Sequence, residues 1–189
     1  MPGSSQRSVL LGFVILTLLA LPGRTTAETS ARNVVGMSTT FLARPFAAPD
    51  PYSWSFGAGV FYERRLSVGS LPCVLSSRLT YLGSIEKEDL YGRSRMVLLG
   101  ETLGVRLHPG GADSGLSFTP GLGLYQYWRR FDHAESTYRA SRPVGGVLAA
   151  LDLEATRSLV FGVIGEAFLI LEQKPVFALG QSLLLGVRF

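Results

Sequence analysis

Apolar and polar side chains alternate with period two along most of the chain after residue 33, most cleanly at its C-terminus. From Phe177 to Phe189 the odd positions read Phe, Leu, Gln, Leu, Leu, Val, Phe, and the even positions Ala, Gly, Ser, Leu, Gly, Arg. Successive side chains on a strand point to opposite faces, so this segment is a strand with one bulky apolar face and one slim face. Trp54, Phe56, Ala58, Val60 and Tyr62 alternate in the same way with Ser55, Gly57, Gly59 and Phe61. So do Leu116, Phe118, Leu122, Leu124 and Trp128 against Ser117, Thr119, Gly121, Gly123, Tyr125 and Tyr127. Val147, Ala149, Leu151 and Leu153 oppose Gly146, Leu148, Ala150, Asp152 and Glu154, while Leu159, Phe161, Val163, Ala167, Leu169 and Leu171 oppose Gly162, Glu166 and Glu172. Weaker versions fill about 33–44, 73–83 and 93–107, which makes eight strands.

The connections between these strands alternate in character. Arg44–Ser53, Ser84–Gly92, Arg129–Arg142 and Glu172–Pro175 form a set that includes the long, charged loops. Ser67–Leu71, His108–Ser114 and Thr156–Ser158 are short or glycine-rich. Long loops at one end and short turns at the other are the asymmetry of outer-membrane barrels, with the short turns on the periplasmic side. Aromatic rings at Tyr52, Trp54, Tyr81, Tyr91, Tyr125, Tyr127, Trp128, Phe131 and Phe189 fall near strand ends, where two interfacial girdles are expected.

Two positions fit this pattern badly. Glu101 shares the face of Val97, Leu99, Leu103 and Val105, so either a bulge near Gly100 turns it inward or the register is shifted there. Pro120 lies inside the fifth strand without the N–H that a closed ladder uses, which suggests a bulge or a later strand start.

A bulky face and a slim face fit two barrels, a soluble one with the apolar face inward and a membrane one with it outward. The slim face carries Arg78, Arg106, Asp152, Glu154, Glu166 and Arg188 among many glycines. A water-washed exterior has no need of glycine, whereas a narrow eight-stranded lumen needs small residues and charges that neutralise one another. The expectation is therefore an all-β, closed, antiparallel up-and-down transmembrane β-barrel of eight strands, with those six residues as a lumen charge network.

The first residues add the compartment. Arg7 precedes an unbroken apolar run from Val9 to Leu21, Pro22-Gly23 follows, and Thr25-Thr26-Ala27 offers small residues before Glu28. That is the layout of a cleavable signal over 1–27, leaving 28–189 as the barrel domain. The run would make a helix of only about 20 Å, against a hydrocarbon core of about 30 Å. From Glu28 onward the net charge falls to +2 and the arginines are dispersed, so the basic balance does not indicate nucleic-acid binding. Cys73 is the single cysteine, and it reads as a small apolar residue near a strand end.

The ending Leu183-Leu-Leu-Gly-Val-Arg-Phe189, with Leu185, Val187 and Phe189 in alternation, resembles the C-terminal signal read by barrel-assembly machinery. With the signal sequence and seven further alternating segments, the chain resembles the small eight-stranded outer-membrane barrels, OmpX-like and OmpW-like proteins among them. The resemblance is architectural. It implies an outer-membrane location, membrane lipids and the assembly machinery as partners, and no cofactor.

Enzymatic signals are thin. His108 sits in the turn His108-Pro-Gly-Gly111, while His133 lies within Phe131-Asp-His-Ala-Glu-Ser136, a cluster comparable with barrel enzymes that act on lipid A. Residues so close on a loop do not converge on one bond as a hydrolytic site requires. The expected role is non-enzymatic, with charged outer loops contacting a surface ligand, a host component or neighbouring envelope. Arg129, Arg130, Arg139 and Arg142 are candidates to pair with glycolipid phosphates. The alternative is a narrow conduit or pocket for small, apolar solutes.

Overall fold

The computed structural model describes residues 33–43, 54–68, 71–84, 93–111, 115–133, 136–156, 158–170 and 176–189. The expected signal segment, 1–27, lies outside them, as do most of 44–53, 84–92 and 171–175. Eight strands are present: β1 (Asn33–Ala43), β2 (Trp54–Val68), β3 (Leu71–Ser84), β4 (Arg93–Val105), β5 (Leu116–His133), β6 (Ser136–Glu154), β7 (Leu159–Ile170) and β8 (Val176–Arg188). Each pairs antiparallel with the next, and β8 closes on β1. Closure leaves no unpaired edge around the belt, which is what lets a sheet sit in lipid.

The registers determine the shape. Cross-strand partners followed once around the wall run from Asn33 through Arg64, Leu75, Leu103, Leu122, Val147, Ala167 and Leu179 back to β1 at Ala43. The path returns ten residues beyond its start, a stagger that tilts the strands by roughly 40° and leaves a bore that side chains can fill.

Alternation sorts the two surfaces. Met37 (66% exposed), Leu122 (68%), Leu124 (67%) and Leu183 (57%) stand outward with Val60, Leu103, Leu151 and Phe161, so bulky apolar side chains surround the barrel. An apolar surface of this extent calls for acyl chains rather than water. Leu185 and Val187 are outward as well, and Phe189 lies exposed at the end that carries the termini. Phe189 is tied there to Asn33 by backbone hydrogen bonds of 3.0 and 3.3 Å. The opposite end is the distal end.

Glycine on the slim face makes room for rings. A Cβ on Gly100 would stand 2.6 Å from the Tyr125 ring and one on Gly123 2.5 Å from it, while Phe61 would be met at 2.7 Å from Gly36 and 2.9 Å from Gly186. Each ring thus lies along a bare stretch of the wall beside it.

Four expectations need correction. The β3–β4 register runs unbroken from Cys73–Val105 to Gly83–Arg95, so no bulge turns Glu101 inward. Glu101 stays on the outward face, covered to 8% exposure, and accepts a 2.6 Å hydrogen bond from the hydroxyl of Ser77, its directly opposed neighbour. Around Pro120 the register is likewise continuous and β5 begins at Leu116. Leu107 and Phe118 exchange two 2.8 Å backbone bonds; one step along that ladder Pro120 has no N–H to give β4, and β4 ends at Val105. Tyr125 and Tyr127, expected in a girdle, turn inward and are 1% and 2% exposed. Finally, Arg129–Arg142 is not a loop, because β5 and β6 continue as a paired hairpin to His133 and Ser136. Charge ruled that segment out as lipid-facing strand, but a hairpin that rises past the apolar belt has no need to be apolar.

Candidate functional site

The bore is built in layers. At the end with the termini, Arg106 bonds Asp152 at 2.7 Å and the Ser117 hydroxyl at 2.9 Å, and pairs with Glu63 at 3.4 Å. Glu154 accepts from Arg65 at 2.5 Å and from Arg188. Three arginines and three carboxylates thus meet in one neutral layer. On the β7–β8–β1–β2 side, Val34, Phe61, Val160 and Leu184 pack as an apolar cluster with Ile164 against it. Midway along the bore, Arg78 pairs with Glu166 and donates to the Ser182 hydroxyl at 3.1 Å. Tyr125 donates to the same Glu166 oxygen at 2.9 Å, and Ser182 shares a 2.9 Å bond with Thr40.

The distal half of the bore is mainly apolar. Leu42, Leu82, Met96, Leu98, Val144, Phe168 and Ala178 pack with the rings of Tyr125 and Tyr127, and Tyr125 meets Phe168 edge-on at 4.6 Å. A water-filled channel would have to cross this plug and the two ionic layers.

All six charged positions read from the sequence therefore line the bore, in two groups: Arg78 with Glu166, and Arg106, Asp152, Glu154 and Arg188 near the termini. Sequence reasoning missed Glu63, Arg65 and the Tyr125 hydroxyl. The signal for the first two was present, since they continue the odd-numbered alternation of Ser55 to Phe61. They belong to an acid–base run, Glu63-Arg-Arg65, that reads as a solvated strand end.

The distal hairpin carries a second cluster. Arg95 on β4 is the cross-strand partner of Arg130 on β5, and Arg130 is the partner of Arg139 on β6. All three side chains are exposed and share the outward face. They lie beyond Val97, Trp128 and Ser141, where the apolar belt gives way. Directly opposed strand residues have Cβ atoms about 5 Å apart, and like charges so placed repel. Planar guanidinium groups in such a row suit charge-assisted bonds to a phosphate or sulfate. Of the four arginines considered from sequence, Arg130 and Arg139 join this row. Arg129 alternates to the bore side, the side chain of Arg142 is outside the described set, and Arg95 was not anticipated. His133 and Ser136 are cross-strand partners at the hairpin tip, with side chains outside the described set. His108 is exposed in its turn, its carbonyl accepting from Gly111 N–H at 3.1 Å.

Solved structures with this wall are known. Neisserial surface protein A superposes with a TM-score of 0.60 at 13% identity, over 86% of this chain and 100% of that one. The chain has the fold of small outer-membrane barrels. Ail, the attachment invasion locus protein of Yersinia pestis, solved in complex with the heparin analogue sucrose octasulfate, gives 0.56 at 16% identity, over 84% and 97%. OprG from Pseudomonas aeruginosa gives 0.54 at 12%, over 88% and 99%. No protein-family model matches the chain, and no curated protein matches it.

Proposed function

We propose that this chain is a non-enzymatic integral barrel of the outer membrane whose distal hairpin binds phosphate or sulfate groups at the cell surface. The end with the termini is periplasmic on this reading, and β5–β6 projects outward. The observation that carries it is the row Arg95–Arg130–Arg139, three exposed guanidinium groups in register just above the apolar belt. That height is where headgroup phosphates of a surface glycolipid lie, and it is open to a soluble polyanion from outside. The Ail complex with a sulfated sugar is consistent with polyanion capture on this scaffold. Other partners on this reading are the lipids around the wall and the barrel-assembly machinery at the Leu185–Val187–Phe189 edge, with no part for nucleic acid. A conduit is the weaker reading, because apolar and ionic layers fill the bore.

The test is binding of the refolded barrel to bisphosphorylated lipid A, to its dephosphorylated form and to a sulfated oligosaccharide. The variant Arg95→Gln/Arg130→Gln/Arg139→Gln should weaken binding to phosphorylated lipid or sulfated sugar at least tenfold and flatten its salt dependence. Preference between the two ligands identifies the source of the anion. Equal binding by the variant to both, or no discrimination against dephosphorylated lipid, would overturn the proposal.

A further inference from the structure

Gln181 is a polar side chain in the wrong solvent. It lies on the outward face of β8 with Phe177 and Leu179 toward the distal end, and Leu183, Leu185 and Val187 toward the other. Its side chain is exposed and has no hydrogen-bond partner among the described residues. Its short side chain cannot reach either interface from the middle of the belt, and acyl chains offer an amide nothing to bond with. Glu101 on β4 is the contrasting case, since it is covered and bonded by Ser77 within its own wall.

The wall beside Gln181 is hollow. Its direct partner on β7 is Gly165, whose partner on β6 is Ala149. Immediately toward the distal end lies a recess of about 420 Å³ lined by Gly145, Ala167, Leu169 and Phe177. Gly145 has open space where a Cβ would stand. Small residues that permit close approach, next to a polar group seeking a partner, form the pattern of a contact within the membrane.

We propose that the β6–β8 face is the interface of a two-fold dimer of this chain, with Gln181 paired to Gln181 of the second copy. Two features of this face select a second copy. A two-fold axis along the membrane normal puts every residue at the same depth in both copies, so a mid-belt amide meets its match without adjustment. A primary amide is both donor and acceptor, so two of them can close a reciprocal pair of bonds. The recess then accepts apolar side chains from the facing wall, in place of lipid.

Thiol cross-linking in lipid bilayers tests this, with Cys73→Ser as background. Gln181→Cys should yield dimer with a short bifunctional thiol reagent, whereas Leu122→Cys, equally lipid-exposed on β5, should not. Energy transfer between labelled copies then measures association. Gln181→Leu, an ordinary residue for this face, should raise the dimer dissociation constant roughly tenfold while keeping the heat-dependent gel shift of a folded barrel. Monomer only from Gln181→Cys, with its thiol open to a lipid-soluble maleimide, would show acyl chains in the recess and overturn the proposal. Equal cross-linking at position 122, or undiminished association of Gln181→Leu, would overturn it as well.

Discussion

Removing Glu166 should destabilise the barrel far more than removing Glu166 and Arg78 together. Arg78 and Glu166 are 6% and 5% exposed at mid-bore, and they compensate one another. In Glu166→Ala the guanidinium keeps only the Ser182 hydroxyl, and the Tyr125 hydroxyl loses its acceptor. Breaking a buried pair from one side costs about 3–5 kcal/mol, because an uncompensated charge is left behind. Arg78→Met/Glu166→Leu fills similar volume with no charge to solvate, and such exchanges are commonly neutral or stabilising by about 1–4 kcal/mol. Reversible urea unfolding in lipid vesicles, followed by fluorescence of the two tryptophans, reads both. With a slope of about 2 kcal/mol per molar urea, the single variant should lose about 2 M in midpoint while the double stays near wild type or above. The reasoning is refuted if the single variant unfolds within about 0.5 M of wild type, or if the double is as damaged as the single.

Two further outcomes follow from the wall and the bore. Glu101→Leu should be neutral or stabilising, whereas Glu101→Lys should cost about 2–4 kcal/mol, the penalty for a basic residue at mid-depth on the lipid side; equal unfolding midpoints for the two would show that Glu101 does not face lipid. In planar bilayers the refolded wild type should give no channel events, since two ionic layers and an apolar plug fill the bore; stable openings would show that the plug moves aside.

Period two told which face of each strand a side chain takes, and little else. That was enough to put Arg78, Arg106, Asp152, Glu154, Glu166 and Arg188 on one face, and the glycines among them are what favoured the lumen over a water-washed exterior. It also put Tyr125 and Tyr127 on the slim face, and the girdle reading of their rings failed because such residues suit both environments. Tyr125 and Tyr127 are amphipathic and would serve in an interfacial girdle; what draws the Tyr125 ring inward is bare wall at Gly100 and Gly123, one on a neighbouring strand and one on its own. It failed too where charge imitates a loop, as from Arg129 to Arg142, since polarity cannot tell an irregular segment from a hairpin that has left the membrane.

The larger blind spot is register, and the functional surfaces arise from it. Nothing local to Arg95, Arg130 or Arg139 indicates that they align across three strands; a slip of two residues in either ladder would keep every face correct and dissolve the row. The same holds for Gln181, which alternation marks only as an odd polar residue in an apolar series. Its meaning comes from standing beside Gly165 and Ala149, and that placement depends on the registers of the β7–β8 and β6–β7 ladders. Register is a property of neighbouring strands taken together, so a reading made strand by strand finds the wall before it finds what the wall is for.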